Sequence, residues 1–126
     1  MFSKLVAFTG ALNFIIAPGL AYTVLADPAP GLFVSMMTLC GFLFAVGAVL
    51  IWASRDVATR APVIFWFGWV RLLAVVVILF AIPMGLANTY EYAFVVFDGL
   101  VGSAYVIGAM RISGKSLLDL FLLRGI

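Results

Sequence analysis

Histidine is absent from this 126-residue chain, cysteine occurs once, and charged residues make up only 10% of it. The first absence removes the commonest metal and haem ligand and the usual general base near neutral pH. The second excludes an internal disulfide and any cysteine metal cluster, leaving Cys40 as a small apolar residue inside a hydrophobic segment. No glycine-rich phosphate loop, nucleophile elbow or paired-carboxylate motif occurs, so the sequence offers no catalytic residue, no metal site and no cofactor motif. The net charge of +2 is scattered over loops and ends without a basic cluster, which argues against a nucleic-acid partner.

Apolar surface is what the chain has in quantity. Hydrophobic residues reach 67% and the mean hydropathy is +1.30, against roughly half apolar and a quarter charged residues in soluble domains. Four segments, about 5–24, 32–52, 63–86 and 92–110, have the roughly 20 residues a helix needs to cross a bilayer. Runs such as Leu72 to Ile82 are apolar on every face, whereas strands of a membrane barrel would alternate. The connections Asp27-Pro28-Ala29-Pro30 and Asn88-Thr89-Tyr90-Glu91 are short and rich in turn formers, which makes consecutive helices antiparallel neighbours. The expected fold is all-α and integral to the membrane, a four-transmembrane-helix antiparallel bundle forming one domain over residues 1–126. Lys4 and Val24-Leu25-Ala26 give the first segment some look of a cleaved signal peptide. Asn13 and Pro18-Gly19 interrupt its apolar run, and retention as a span is expected.

Orientation follows from the basic residues. Lys4 precedes the first segment, Arg55 and Arg60 lie between the second and third, and Arg111, Lys115 and Arg124 follow the fourth, while the other two connections carry Asp27 and Glu91. The positive-inside rule then places both termini in the cytoplasm, in a cytoplasmic (inner) membrane of bacterial type. Tyr90 and Tyr92 suit the outer interface, and Trp52, Trp66 and Trp69 the inner one. After the fourth segment, Ser113-Gly114 breaks the helix and Ser116 caps a leucine-rich stretch with Asp119 in its first turn. This stretch, about 116–124, is too short to span. It is expected to lie along the inner surface with Leu118, Phe121 and Leu122 on its apolar side, docking onto a partner subunit being the alternative.

Two ionisable residues fall at membrane depth, Arg71 in the third segment and Asp98 in the fourth, and such residues are functional suspects. Helical side chains lean toward their own N-terminus, so Arg71 is directed toward the cytoplasm and Asp98 outward. The expectation is that the heads separate, Arg71 snorkelling past Trp66 and Asp98 bonding Tyr22, Thr23 or external water. A direct or water-linked pair lining a ligand or proton path, with Asn13 and Tyr22 as further candidates, is the other reading. Asn13 by itself suggests an interhelical hydrogen bond. Gly99 and Ser103, then Ala104 and Gly108, repeat at four-residue spacing and give the fourth segment two narrow faces for packing, within the chain or in a homo-oligomer. A faint echo links Pro18-Gly19-Leu20-Ala21 to Pro83-Met84-Gly85-Leu86-Ala87, and Gly47-Ala48 to Gly108-Ala109, as a two-plus-two parallel repeat would.

Leu25-Ala26-Asp27-Pro28 at the end of the first segment, Ala53-Ser54-Arg55-Asp56 after a glycine-punctuated second, and Phe97-Asp98-Gly99 opening the fourth resemble the small DoxX-like four-helix membrane proteins. Those often carry Arg at the start of the first span, where this chain has Lys4. Some are linked to thiosulfate:quinone oxidoreduction, and the resemblance transfers no catalytic residue. Two function classes stay open. One is a non-catalytic accessory or assembly subunit of a larger membrane complex; the other is a small transporter or lipid- or quinone-binding bundle using Arg71 and Asp98. A membrane enzyme ranks third.

Overall fold

The computed structural model describes residues 1–124. Four long helices, α1 (Phe2–Ala26), α2 (Phe33–Ser54), α3 (Ala61–Ala81) and α4 (Tyr92–Ser113), are followed by the short α5 (Leu117–Phe121). Among the described residues no strand occurs. All four long helices are long and apolar enough to cross a membrane, α4 together with the 3-10 turn that precedes it. The chain divides into two compact units, residues 1–56 and the remainder from Val57. Each is built on an antiparallel helical hairpin.

Helix boundaries follow local chemistry. Pro18 sits inside α1 without ending it, which apolar surroundings tolerate where neighbouring groups re-satisfy the backbone. The third segment was expected to run to residue 86, but regular helix stops at Ala81. Pro83 has no N–H to donate back. The chain then closes in a Schellman motif, with Leu86 N–H donating to Ala81 O (2.9 Å), Gly85 N–H to Ile82 O (3.1 Å), and Gly85 at φ 72°. Asn88 and Glu91 form a capping box ahead of α4, with Asn88 N–H donating to Glu91 Oε2 at 2.7 Å. At the far end of α4, Gly114 takes the left-handed conformation that turns the chain toward α5.

The two hairpins share one packing device. In the first, a methyl group on Gly10 would lie 2.8 Å from Leu50 Cβ, and one on Gly47 would lie 2.8 Å from Gly10 O and 3.0 Å from Asn13 Cβ. In the second, a methyl on Gly68 would lie 2.9 Å from Gly102 O and 2.9 Å from Tyr105 Cβ, and one on Gly102 would lie 3.0 Å from Gly68 O and 3.1 Å from Arg71 Cβ. Each hairpin therefore closes backbone on backbone at a glycine pair. In each, the polar side chain one turn beyond the first glycine, Asn13 or Arg71, stands against the second. This repeat has a different register from the Pro18/Pro83 and Gly47/Gly108 echo, because it is set by where the backbones touch and not by where the turns fall.

Within the first hairpin Val6, Ala17 and Leu50 are buried, together with Thr9, whose hydroxyl donates to Leu5 O at 2.8 Å. Phe14 and Phe44 meet edge to face with centroids 4.9 Å apart. Cys40 is a free, buried thiol. In the second unit Ala61, Phe65, Val106, Ala109 and Leu120 form a core that joins α3, α4 and α5. Ser116 caps α5 by accepting from Asp119 N–H at 3.2 Å. The expected grouping of Leu118, Phe121 and Leu122 on one lipid-facing side needs correction. Phe121 turns inward, its ring centroid 5.1 Å from each of Phe65, Trp66 and Trp69, because three aromatic faces on α3 offer it more contact than lipid does. Leu118 and Leu122 remain exposed.

Candidate functional site

Arg71 is the middle residue of α3, ten residues from each end, and so about 15 Å from either end at ~1.5 Å per residue. Asp98 lies six residues into α4. The glycine contact fixes their relative level. Gly102 stands against Arg71 Cβ, and Asp98 is four residues earlier on α4, so it stands about one helical turn, roughly 5.4 Å, above Arg71 on the neighbouring helix.

Arg71 Nη1 donates to Asp98 Oδ1 at 2.9 Å, and the two side chains are only 15% and 18% exposed. The expectation of separated heads is overturned. The lean of the Cα–Cβ bond sets only where a side chain starts, and the long arginine stem reverses it within one turn. Two rings complete the seat: the guanidinium carbon is 5.7 Å from the centroid of Phe97 and 5.5 Å from that of Tyr105. Such contacts are worth about 0.5–2 kcal/mol each, rising as water is removed. Asp98 is thereby accounted for without Tyr22 or Thr23. Thr23 donates to Leu20 O at 2.7 Å, and Tyr22 is exposed.

Chemically, the arrangement cancels a cation and an anion that would each be costly alone between two apolar helices. Removing one member of such a pair strands the other, which is why it acts as a helix clamp. The bond engages one nitrogen of the guanidinium fork and one carboxylate oxygen, leaving further donors and a second acceptor oxygen on the partly exposed side.

The remaining candidates fall elsewhere. Asn13 is buried in the first hairpin, its Cβ against Gly47 of α2. Among the small residues of α4, the close approach to α3 is made at Gly102 and not at Gly99. Gly99 has room, a methyl there reaching only Val75 Cγ2 at 3.9 Å. Ser103 is exposed, and Ala104 and Gly108 are half-buried. The contact runs through Gly102 and Tyr105 because they lie on the face that carries Asp98. Sequence reasoning missed Gly68, Gly102 and Tyr105. The available signal was a glycine about one turn before the charge inside the apolar segment, Gly68-Trp69-Val70-Arg71. A shallow depression at the α1–α2 turn, between Thr23, Asp27, Phe33 and Met36, is separate from the ion pair in sequence and chemistry. Among the described residues, no group of three or more His, Cys, Asp or Glu side chains could hold a metal ion. Comparison with protein family models, with curated proteins and with solved structures gives no match.

Proposed function

We propose that this chain is a non-catalytic multi-pass membrane protein serving as an accessory or assembly subunit of a larger membrane complex. The observation that supports this most is the internal use of Arg71 and Asp98. The pair binds α3 to α4 at 2.9 Å, so the groups best suited to membrane chemistry are spent on holding a hairpin together. What each hairpin then presents outward is apolar, for example Ile15 and Phe42 in the first and Val70, Leu73, Val76 and Leu100 in the second, all at least 60% exposed. Such a surface suits lipid and the helices of partner subunits. The location we propose is a cytoplasmic membrane with both termini inside, on the strength of the basic residues at Lys4, Arg55, Arg60, Arg111, Lys115 and Arg124. The DoxX-like resemblance is compatible with this reading.

A second reading has its own support. The further donors and acceptor of the pair, on side chains 15% and 18% exposed beside the partly exposed Phe97, could hold a lipid or quinone headgroup, or line a transport path. Purification in native membranes followed by mass spectrometry separates the two. The accessory reading expects a stable assembly with defined partner proteins or further copies of the chain. A lone protomer carrying one small molecule in stoichiometric amount would replace it with the binder.

Topology gives a further prediction. In a Cys40→Ala background, Asp27→Cys and Glu91→Cys should react with an impermeant thiol reagent in intact cells, and Lys115→Cys only after permeabilisation. Labelling of Lys115→Cys in intact cells would reject the proposed orientation.

A further inference from the structure

After Gly114 the chain doubles back and α5 docks beside the hairpin it has just left. Leu120 is fully buried against Ala61, Phe65, Val106 and Ala109, and Phe121 lies among Phe65, Trp66 and Trp69. These contacts fix the depth of α5. Trp69 is eight residues into α3 and Val106 seven residues before the end of α4, so α5 sits level with the first ~12 Å of α3 and the last ~10 Å of α4 at ~1.5 Å per residue. If those helices span a bilayer, that is the boundary between headgroups and acyl chains, where interfacial helices lie.

Successive residues of a helix turn by about 100°, so the docked side of α5 (Leu120, Phe121) is flanked by a second apolar side made of Leu118 and Leu122. Those two are 57% and 53% exposed. Basic residues flank them along the chain: Arg111 in the last turn of α4, Lys115 in the connection, and Arg124 two residues beyond Leu122, with Asp119 as the acid between. Arg111 and Arg124 are exposed. Arg124 is held close to α5, its N–H donating to Asp119 O at 2.9 Å across a left-handed turn at Leu123. An apolar side at acyl depth, bordered by cations at headgroup depth, is complementary to one partner.

We propose that the α5 segment is a wedge for anionic phospholipid, with Leu118 and Leu122 entering the acyl boundary and Arg111 and Arg124 binding lipid phosphates. This rests on the reading of α1 to α4 as spans and is independent of the accessory role. The partner is the lipid surface, since inorganic phosphate would meet the cations and leave the leucines in water.

The test uses the full chain in nanodiscs of phosphatidylcholine alone or mixed with phosphatidylglycerol. Backbone hydrogen exchange is followed across α5, and a fluorophore on L122C in a Cys40→Ala background is quenched by nitroxide lipids. A basic residue near an anionic surface is worth about fivefold in occupancy. Phosphatidylglycerol should therefore slow exchange in α5 by on the order of tenfold or more and increase shallow-acyl quenching at position 122. The combined R111Q and R124Q variant should lose most of the difference. If that variant misfolds, high salt applied to the unmodified chain should erase the difference by screening. Equal exchange in both lipids, or a label at 122 that only aqueous quenchers reach, would overturn the proposal. A control label at V70C, midway along α3 and 60% exposed, should report the bilayer centre. If it is open to water, the spanning reading fails and the proposal with it; if it is buried while position 122 is not, the wedge alone fails.

Discussion

Arg71→Ala and Asp98→Ala should each destabilise the second hairpin by about 3 kcal/mol, and the double substitution by clearly less than their sum. The bond between them is 2.9 Å long and both side chains are more than four-fifths covered. Each single change therefore leaves an uncompensated charge, and it is the stranded partner, more than the lost hydrogen bond, that costs. Removing both leaves a neutral gap whose main penalty is lost packing. Arg71 should be the more sensitive position, because its guanidinium also faces the rings of Phe97 and Tyr105. Arg71→Lys should fall between, keeping the charge but losing the planar fork that bonds and stacks together. Thermal unfolding of the four proteins, in detergent and again in lipid, gives the cycle. An interaction energy below roughly 1 kcal/mol in both media would mean that the pair does not clamp the helices.

That the two residues pair at all could not be read from the chain, and the reason is specific. The sequence placed Arg71 and Asp98 on neighbouring antiparallel helices at overlapping heights, because hydropathy and short connections determine both. The lean of the side chains then pointed the wrong way. It describes the first bond of a residue, whereas the reach of arginine depends on four torsions and on how near the helices come. That nearness is decided at Gly68 and Gly102, whose mutual fit depends on helix rotation, and in segments apolar on every face no pattern reveals rotation. The same ambiguity led to Gly99 and Ser103 in place of Gly102. Features carried by local chemistry were legible: the cap at Ser116, the break at Gly114, the turns at Asp27-Pro28 and Asn88 to Glu91, and four apolar helices. For α5, composition marked a short amphipathic element, but only the aromatic cluster on α3 determined which side turned inward.

Alanine substitution along these helices should sort glycines by the space they face. Alanine is the better helix former by about 1 kcal/mol, so where there is room it should leave stability unchanged or raise it. Gly41 has nothing within 4 Å of an added methyl, and Gly99 meets only Val75 Cγ2 at 3.9 Å. Gly68→Ala and Gly102→Ala should do the opposite. Each would press a methyl to within 3.0 Å of the other's carbonyl oxygen, and a backbone atom inside a helix cannot move aside alone. The helices must separate, at a cost of about 1–3 kcal/mol from overpacking that outweighs the propensity gain. Leucine at either position should prevent α3 and α4 from closing. Separation also draws Asp98 away from Arg71, so Gly102→Ala should cost less in the Arg71→Ala, Asp98→Ala background than in the intact chain, and this difference links packing to the ion pair. Gly10→Ala and Gly47→Ala should weaken the first hairpin in the same way, but with no such dependence, because Asn13 and not a charge stands beside that contact. Thermal unfolding of this set measures each step. If Gly102→Ala proved as harmless as Gly99→Ala, the close approach of the second hairpin, and with it the geometry that brings Arg71 to Asp98, would be wrong.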